Sequence, residues 1–99
     1  MAKFHVYALR QSRTLALDLQ SDLLERLKTR MMAPLLRLED VSMPMARLNP
    51  QFTIADKPYI MATQLMAAVP LTEIGELITD LSLRGDQITA ATDFLFQGF

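Results

Sequence analysis

The stretch KFHVYALRQSRTLALDLQ, residues 3–20, decides the fold class of this chain. Apolar side chains alternate with others over residues 3–9 and again over residues 14–20, and a period of two is typical of a strand with one buried face. The polar residues Arg10–Arg13 separate the two runs. Two alternating runs joined by a short polar break predict an antiparallel hairpin.

Further strands are predicted in the middle of the chain. The mostly apolar run Arg30–Leu36 is interrupted by Pro34, which lacks a backbone N–H, so this strand should have an edge or a bulge there. Residues 51–54 and 59–63 flank a short turn and predict a second hairpin. Another apolar run follows over residues 64–69.

Helical spacing occurs in three segments. Leu23, Leu24 and Leu27 are spaced as on one helical face, although the segment is short enough to be a wide connection between strands. Leu71–Leu81 has helical spacing that Gly75 weakens.

The last segment is the clearest helix, with Ser82 as a candidate N-cap, Asp86 near the positive end of the helix dipole and an end at Gly98. One face of this helix is apolar: Ile88, Ala91 and Leu95. Five or six short strands followed by a helix describe a small, partly open β-barrel or sheet capped by that helix.

The composition is that of one folded domain over residues 1–99, with 51% apolar and 21% charged residues. The net charge of −1, with arginines dispersed among acids, argues against direct binding of nucleic acid. The absence of cysteine excludes disulfides and thiolate metal sites. Because no run is long enough to span a membrane and no apolar signal core follows Met1, we expect a cytoplasmic protein that begins at or near Met1 and has no membrane partner.

Candidate catalytic groups are few. The single histidine, His5, lies on a predicted strand and has no serine or cysteine nucleophile in a recognised motif. The isolated glycines form no phosphate-binding loop. Two acidic pairs, Glu39–Asp40 and Glu73/Glu76, are interpreted as solvated faces or turn caps. We therefore predict no catalytic residue, no metal site and no cofactor.

The C-terminal tip FLFQGF, residues 94–99, contains three of the seven aromatic residues of the chain. Chain ends are commonly frayed and polar. Phe94 and Leu95 are expected to dock the last helical turn onto the sheet, but Phe99 lies beyond a glycine and has no such role. We therefore predict an interaction surface over Phe96–Phe99.

The chain resembles the CcdB family of bacterial toxins along nearly its whole length. The resemblance rests on the order and spacing of short matching segments: Phe4–Tyr7, Asp18–Leu24, Arg30–Leu35, Met61–Thr63, Val69–Pro70, Ile74–Glu76, Asp80–Ser82 and Phe96–Gly98. It implies a mainly β, SH3-like, partly open barrel of antiparallel strands with one long C-terminal helix, paired into a symmetric homodimer. It also implies that Leu71–Leu81 is largely extended, and there we follow the resemblance rather than the spacing.

The resemblance implies a toxin that acts without catalysis. Family members insert into the breakage–reunion domain of the DNA gyrase A subunit and trap the enzyme on cleaved DNA, and a cognate CcdA-like antitoxin neutralises them by wrapping another edge of the dimer. DNA is contacted only through gyrase, or together with the antitoxin at the operator. The resemblance implies that gyrase is bound by Leu23, Leu24, Phe96 and Gly98. We add to the predicted gyrase-binding residues Asp93, Gln97 and Phe99.

The C-terminal end departs from the family pattern. The best-known family end is Trp-Gly-Ile, whose indole stacks on a gyrase arginine, whereas this chain has Gln97, Gly98 and Phe99. Stacking of a cation on an aromatic ring contributes about 0.5–2 kcal/mol, which glutamine cannot supply. Either Phe99 replaces the ring, or gyrase is recognised by shape and polar contacts. Two other functions stay open: an endoribonuclease of the MazF/Kid type, and a detoxified relative that only sequesters antitoxin.

Overall fold

A computed structural model describes residues 1–99 as an antiparallel sheet that curls into a half-barrel, with one helix at its C-terminal end. The elements are β1 (His5–Leu9), β2 (Leu15–Asp18), β3 (Thr29–Arg37), β4 (Gln51–Ile54), β5 (Lys57–Met61), β6 (Ala67–Pro70), β7 (Ile74–Asp80) and α1 (Gly85–Gln97). The SH3-like, partly open barrel with a C-terminal helix is therefore confirmed. No helix is long and apolar enough to cross a membrane.

The strands follow the order β4-β5-β3-β2-β1-β7, and β6 also pairs with β3. One edge of β3 pairs with β2, while its other edge pairs with β6 up to Met32 and with β5 from Leu35 onwards. Pro34 lies between those two partners, and the β2–β3 register runs through it without a shift. At Pro34, strand β3 therefore changes its partner on one edge and has no bulge.

Both predicted hairpins are confirmed. In the first, Val6 pairs with Leu17 across β1 and β2. In the second, β4 and β5 are joined by Ala55 and Asp56, whose φ angles are 52° and 64°. This two-residue turn of positive φ matches the right-handed twist of the strands, and it is tighter than the sequence predicts.

The helical spacing of Leu71–Leu81 is misleading, and the extended conformation implied by the resemblance is confirmed, because most of the segment forms β7. The pairing of β7 with β1 shifts register twice, so buried side chains do not recur at every second position. Gly75 lies where β7 approaches β1 closely. A Cβ at this position would lie 2.7 Å from the Ala8 carbonyl oxygen. A side chain at this position would push the two strands apart.

The predicted N-cap of the last helix is wrong. Ser82 begins a 3-10 turn, and its N–H donates to Asp80 Oδ1 at 2.8 Å, so Asp80 takes the capping role there. The α-helix itself begins only at Gly85, which packs against Phe4 so closely that a Cβ would lie 2.8 Å from the ring. The predicted end is confirmed, since Gly98 has a φ of 80° and donates its N–H to the Phe94 carbonyl.

The main core lies between the sheet and α1. Its buried members are Val6, Leu17, Ala33, Leu35, Phe52, Ile54, Met61, Ile88 and Ala91. Tyr7 is also buried, in a smaller cluster with Met32 and Ile74, although the alternation placed it on an exposed face. Of the predicted apolar helix face, Ile88 and Ala91 are buried, whereas Leu95 is 36% exposed. The last six residues of α1, 92–97, therefore contribute no buried residue.

Candidate functional site

The single histidine takes part in one polar contact. His5 Nε2 lies 3.5 Å from Asp80 Oδ2, across the β1–β7 pair. Hydrogen bonds from Ser82 lower the pKa of Asp80, and His5 adds a smaller effect in the same direction. The carboxylate thus stands between the serine and the histidine, whereas in a catalytic triad the histidine contacts the serine hydroxyl. No three histidine, cysteine or acidic side chains form a group that could hold a metal ion.

The first predicted site segment, which follows β2, is a connection and not a helix. Its regular part is one 3-10 turn, Asp22–Leu24, without a buried residue. Ser21 Oγ accepts the N–H of Leu23 at 3.2 Å and caps the turn. Leu23 is 94% exposed and Leu24 is 49% exposed. Both leucines are therefore available to a partner, as their predicted role requires, and that role stays a prediction.

A buried ion pair lies beneath this turn. Arg30 Nε on β3 donates to Asp18 Oδ2 on β2 at 2.8 Å, and Nη2 lies 2.6 Å from the same oxygen. Both side chains are almost fully buried. Burial by itself lowers the pKa of Arg30, but its bonds to Asp18 and then to Asp22 outweigh this and raise the pKa. No pattern in the sequence predicts this pair, because a charged residue in an alternating strand normally lies on the exposed face.

The second predicted site segment is the end of α1. Asp93, Phe96, Gln97, Gly98 and Phe99 are all exposed, and the phenylalanine side chains are exposed by 73% at Phe96 and 76% at Phe99. Residues three and four apart share a helical face, so Asp93 lies beside Phe96 and Gln97. The structure thus brings these residues together, whereas Leu23 and Leu24 lie on the separate connection between β2 and β3.

The third terminal aromatic ring has an internal partner. The Arg47 guanidinium lies over the Phe94 ring, 4.4 Å from its centroid. Such a contact is typical of a cation–π pair. Phe94 already has a cation on its face, so only Phe96 and Phe99 can offer a largely exposed ring to a partner. No pattern in the sequence joins Arg47 to the helix, since the two are 47 residues apart.

Comparison with known protein families shows which family the chain belongs to. A family model described as CcdB protein matches residues 3–98. The match covers the Leu23–Leu24 turn, all of α1 and Gly98, and it leaves only Phe99 of the site outside. Since nearly the whole chain is matched and the fold is the one that the resemblance implies, the chain belongs to the CcdB family, whose members are toxins of toxin–antitoxin pairs.

Proposed function

We propose that this protein poisons DNA gyrase: it binds the A subunit and traps the enzyme on cleaved DNA, without catalysing a reaction itself. The observation that carries the proposal is the exposure of large apolar side chains at positions that are predicted to bind gyrase. Leu23, Phe96 and Phe99 are each at least 73% exposed, although large apolar side chains are usually buried in the core.

The loss of the family tryptophan does not remove the basis for binding. Burial of one leucine or phenylalanine side chain stabilises a complex by about 1.5–3 kcal/mol. The cation–aromatic stack that Gln97 cannot make contributes about 0.5–2 kcal/mol. Burial of Leu23, Phe96 and Phe99 against gyrase is therefore a source of affinity that does not depend on the missing stack. Phe99, two residues further on, can also offer a ring to a cation.

A supercoiling and cleavage assay with purified gyrase tests the proposal directly. We expect cleaved DNA to accumulate and supercoiling to fall as the protein is added. Incubation of the protein with RNA separates the endoribonuclease alternative, which predicts cleavage of the RNA. Overexpression in a gyrase-sensitive host separates the detoxified alternative, because a protein that only sequesters antitoxin does not kill. A CcdA-like antitoxin is expected to reverse the effect on gyrase.

We also propose that the protein is a homodimer, as in its family. A domain of this size buries a limited share of its surface, and here exposed apolar side chains include Leu77 and Ile78 on the edge strand β7. Sedimentation at micromolar concentration should give about twice the chain mass of 11.2 kDa. A mass near that of one chain would contradict the dimer.

Replacement of Leu23 by aspartate should weaken gyrase binding about 10-fold or more and leave the melting temperature nearly unchanged. The reason is that Leu23 is almost fully exposed in this chain but is expected to be buried against gyrase. Leu83→Asp is the matched control, because Leu83 is a fully exposed leucine in another 3-10 turn, Ser82–Arg84, outside the proposed surface. Equal gyrase affinity for the two variants would remove Leu23 from the site.

A further inference from the structure

The turn that presents Leu23 is not held by apolar packing. Residues 22–28 are all exposed, and none of them contributes to the core. Of their side chains, only that of Asp22 makes a hydrogen bond. A surface turn that neither packing nor hydrogen bonds hold in place samples many conformations. A partner that binds such a turn must order it, and the lost conformational entropy weakens binding. Ser21 Oγ also accepts the Leu23 N–H, and Gln20 Nε2 donates to the Leu24 carbonyl at 3.3 Å. Asp22 is thus one of three side chains that orient Leu23, and the one that links the turn to Lys3 and Arg30.

Asp22 is bonded to two separate parts of the chain, the turn before β1 and strand β3. Its Oδ1 accepts the backbone N–H of Lys3 at 2.9 Å and the Nη2 of Arg30 at 3.3 Å. Arg30 is itself fixed, because it is buried and bonded to Asp18 and because the same Nη2 donates to the Gln20 carbonyl at 3.3 Å. The hydrogen bond from Lys3 lowers the pKa of Asp22, slight burial opposes it, and Arg30 lowers it further. The carboxylate is therefore charged near neutral pH.

We infer that Asp22 is a positioning residue for target binding: through Arg30 and the Lys3 N–H it fixes the turn that holds Leu23 outwards. The inference rests on the proposed binding of gyrase by Leu23. The conformational entropy of the turn is lost when the protein folds, so less is lost when the partner binds. Asp22 itself need not touch gyrase for this effect.

Two variants and one control test the inference. Asp22→Ala removes both bonds, so gyrase affinity should fall about 10-fold. Hydrogen exchange in the free protein should also become faster at the amides of Leu24 and Leu27. In the unaltered protein, these amides donate to the carbonyls of Ser21 and Leu24. Asp22→Asn retains an acceptor oxygen and should recover most of the affinity. Glu25→Ala removes a neighbouring exposed acid whose side chain makes no hydrogen bond, and it should change neither measurement.

The outcomes separate this inference from the proposed function. If the unaltered protein does not bind gyrase, the proposed function fails, while hydrogen exchange in Asp22→Ala still decides whether Asp22 orders the turn. If Asp22→Ala exchanges no faster than the unaltered protein, Asp22 does not order the turn and the inference is overturned. Faster exchange with unchanged gyrase affinity overturns it too, because the order of the turn then has no effect on binding.

Discussion

Deletion of Gln97, Gly98 and Phe99 is expected to abolish gyrase poisoning while the fold remains stable. None of the three is buried, and no residue of α1 after Ala91 belongs to the core. The backbone hydrogen bonds that the deletion removes lie at the end of the helix, among them the bond from Gly98 to Phe94. The DNA cleavage assay should therefore lose its signal, while the melting temperature and antitoxin binding stay close to those of the full chain.

Single substitutions show which part of the tip acts. Phe99→Ala should cost about 1–2 kcal/mol of gyrase affinity if this ring replaces the family tryptophan. Gly98 has a φ of 80°, which other L-residues adopt at a cost of about 1–2 kcal/mol, and a Cβ there would meet no atom within 4 Å. Loss of poisoning in Gly98→Val thus reports on backbone direction or on contact with gyrase. A truncated protein that still traps gyrase on cleaved DNA would show that the tip is not the active element.

Replacement of Asp18 by alanine should lower the free energy of unfolding by about 3–5 kcal/mol, because it leaves the Arg30 charge buried without its main partner. A domain of this kind has roughly 5–15 kcal/mol in total, so the variant should be close to unfolding at physiological temperature. Urea denaturation at one fixed protein concentration measures the change, since the stability of a dimer depends on concentration.

Two further variants make the Asp18 result specific. Asp18→Leu combined with Arg30→Met replaces the pair by apolar side chains, and most of the stability should return. Glu39→Ala breaks the exposed pair with Arg37, which has a distance of 3.4 Å, and should cost less than about 1 kcal/mol. If Asp18→Ala were no more destabilising than Glu39→Ala, the buried pair would have no special role in the fold.

The sequence predicts local structure well where one pattern acts alone. Residues 3–20 form a hairpin because their period of two coincides with a regular β1–β2 register. The same rule fails over Leu71–Leu81, where two register shifts against β1 disrupt the period and produce helical spacing by chance. The N-cap preference fails at Ser82, because a 3-10 turn begins there and the α-helix begins only at Gly85. Within that turn, Ser82 is a donor, and its N–H is bonded to Asp80 Oδ1.

The candidate site is less predictable than the fold. The exposure of Phe99 follows from its place beyond a glycine, and that of Leu23 follows from the family resemblance. The contacts that support the site do not follow, because Asp18 and Arg30 meet only through the pairing of β2 with β3, and Arg47 meets Phe94 only through the fold of the whole chain. Such contacts join residues distant in sequence, where spacing holds no information.

The pairing of β1 with β7 has a consequence for synthesis of the chain. Strand β1 pairs with β2 on one edge and with β7 on the other, and β7 ends at Asp80. Until residue 80 has been synthesised, one edge of β1 is open to pairing with other chains. The exposed tip lies one helix further along the chain than β7. A nascent chain that stops before Asp80 therefore has neither the complete sheet nor the surface proposed for gyrase. On this proposal, target binding cannot begin before β7 and α1 have both been made.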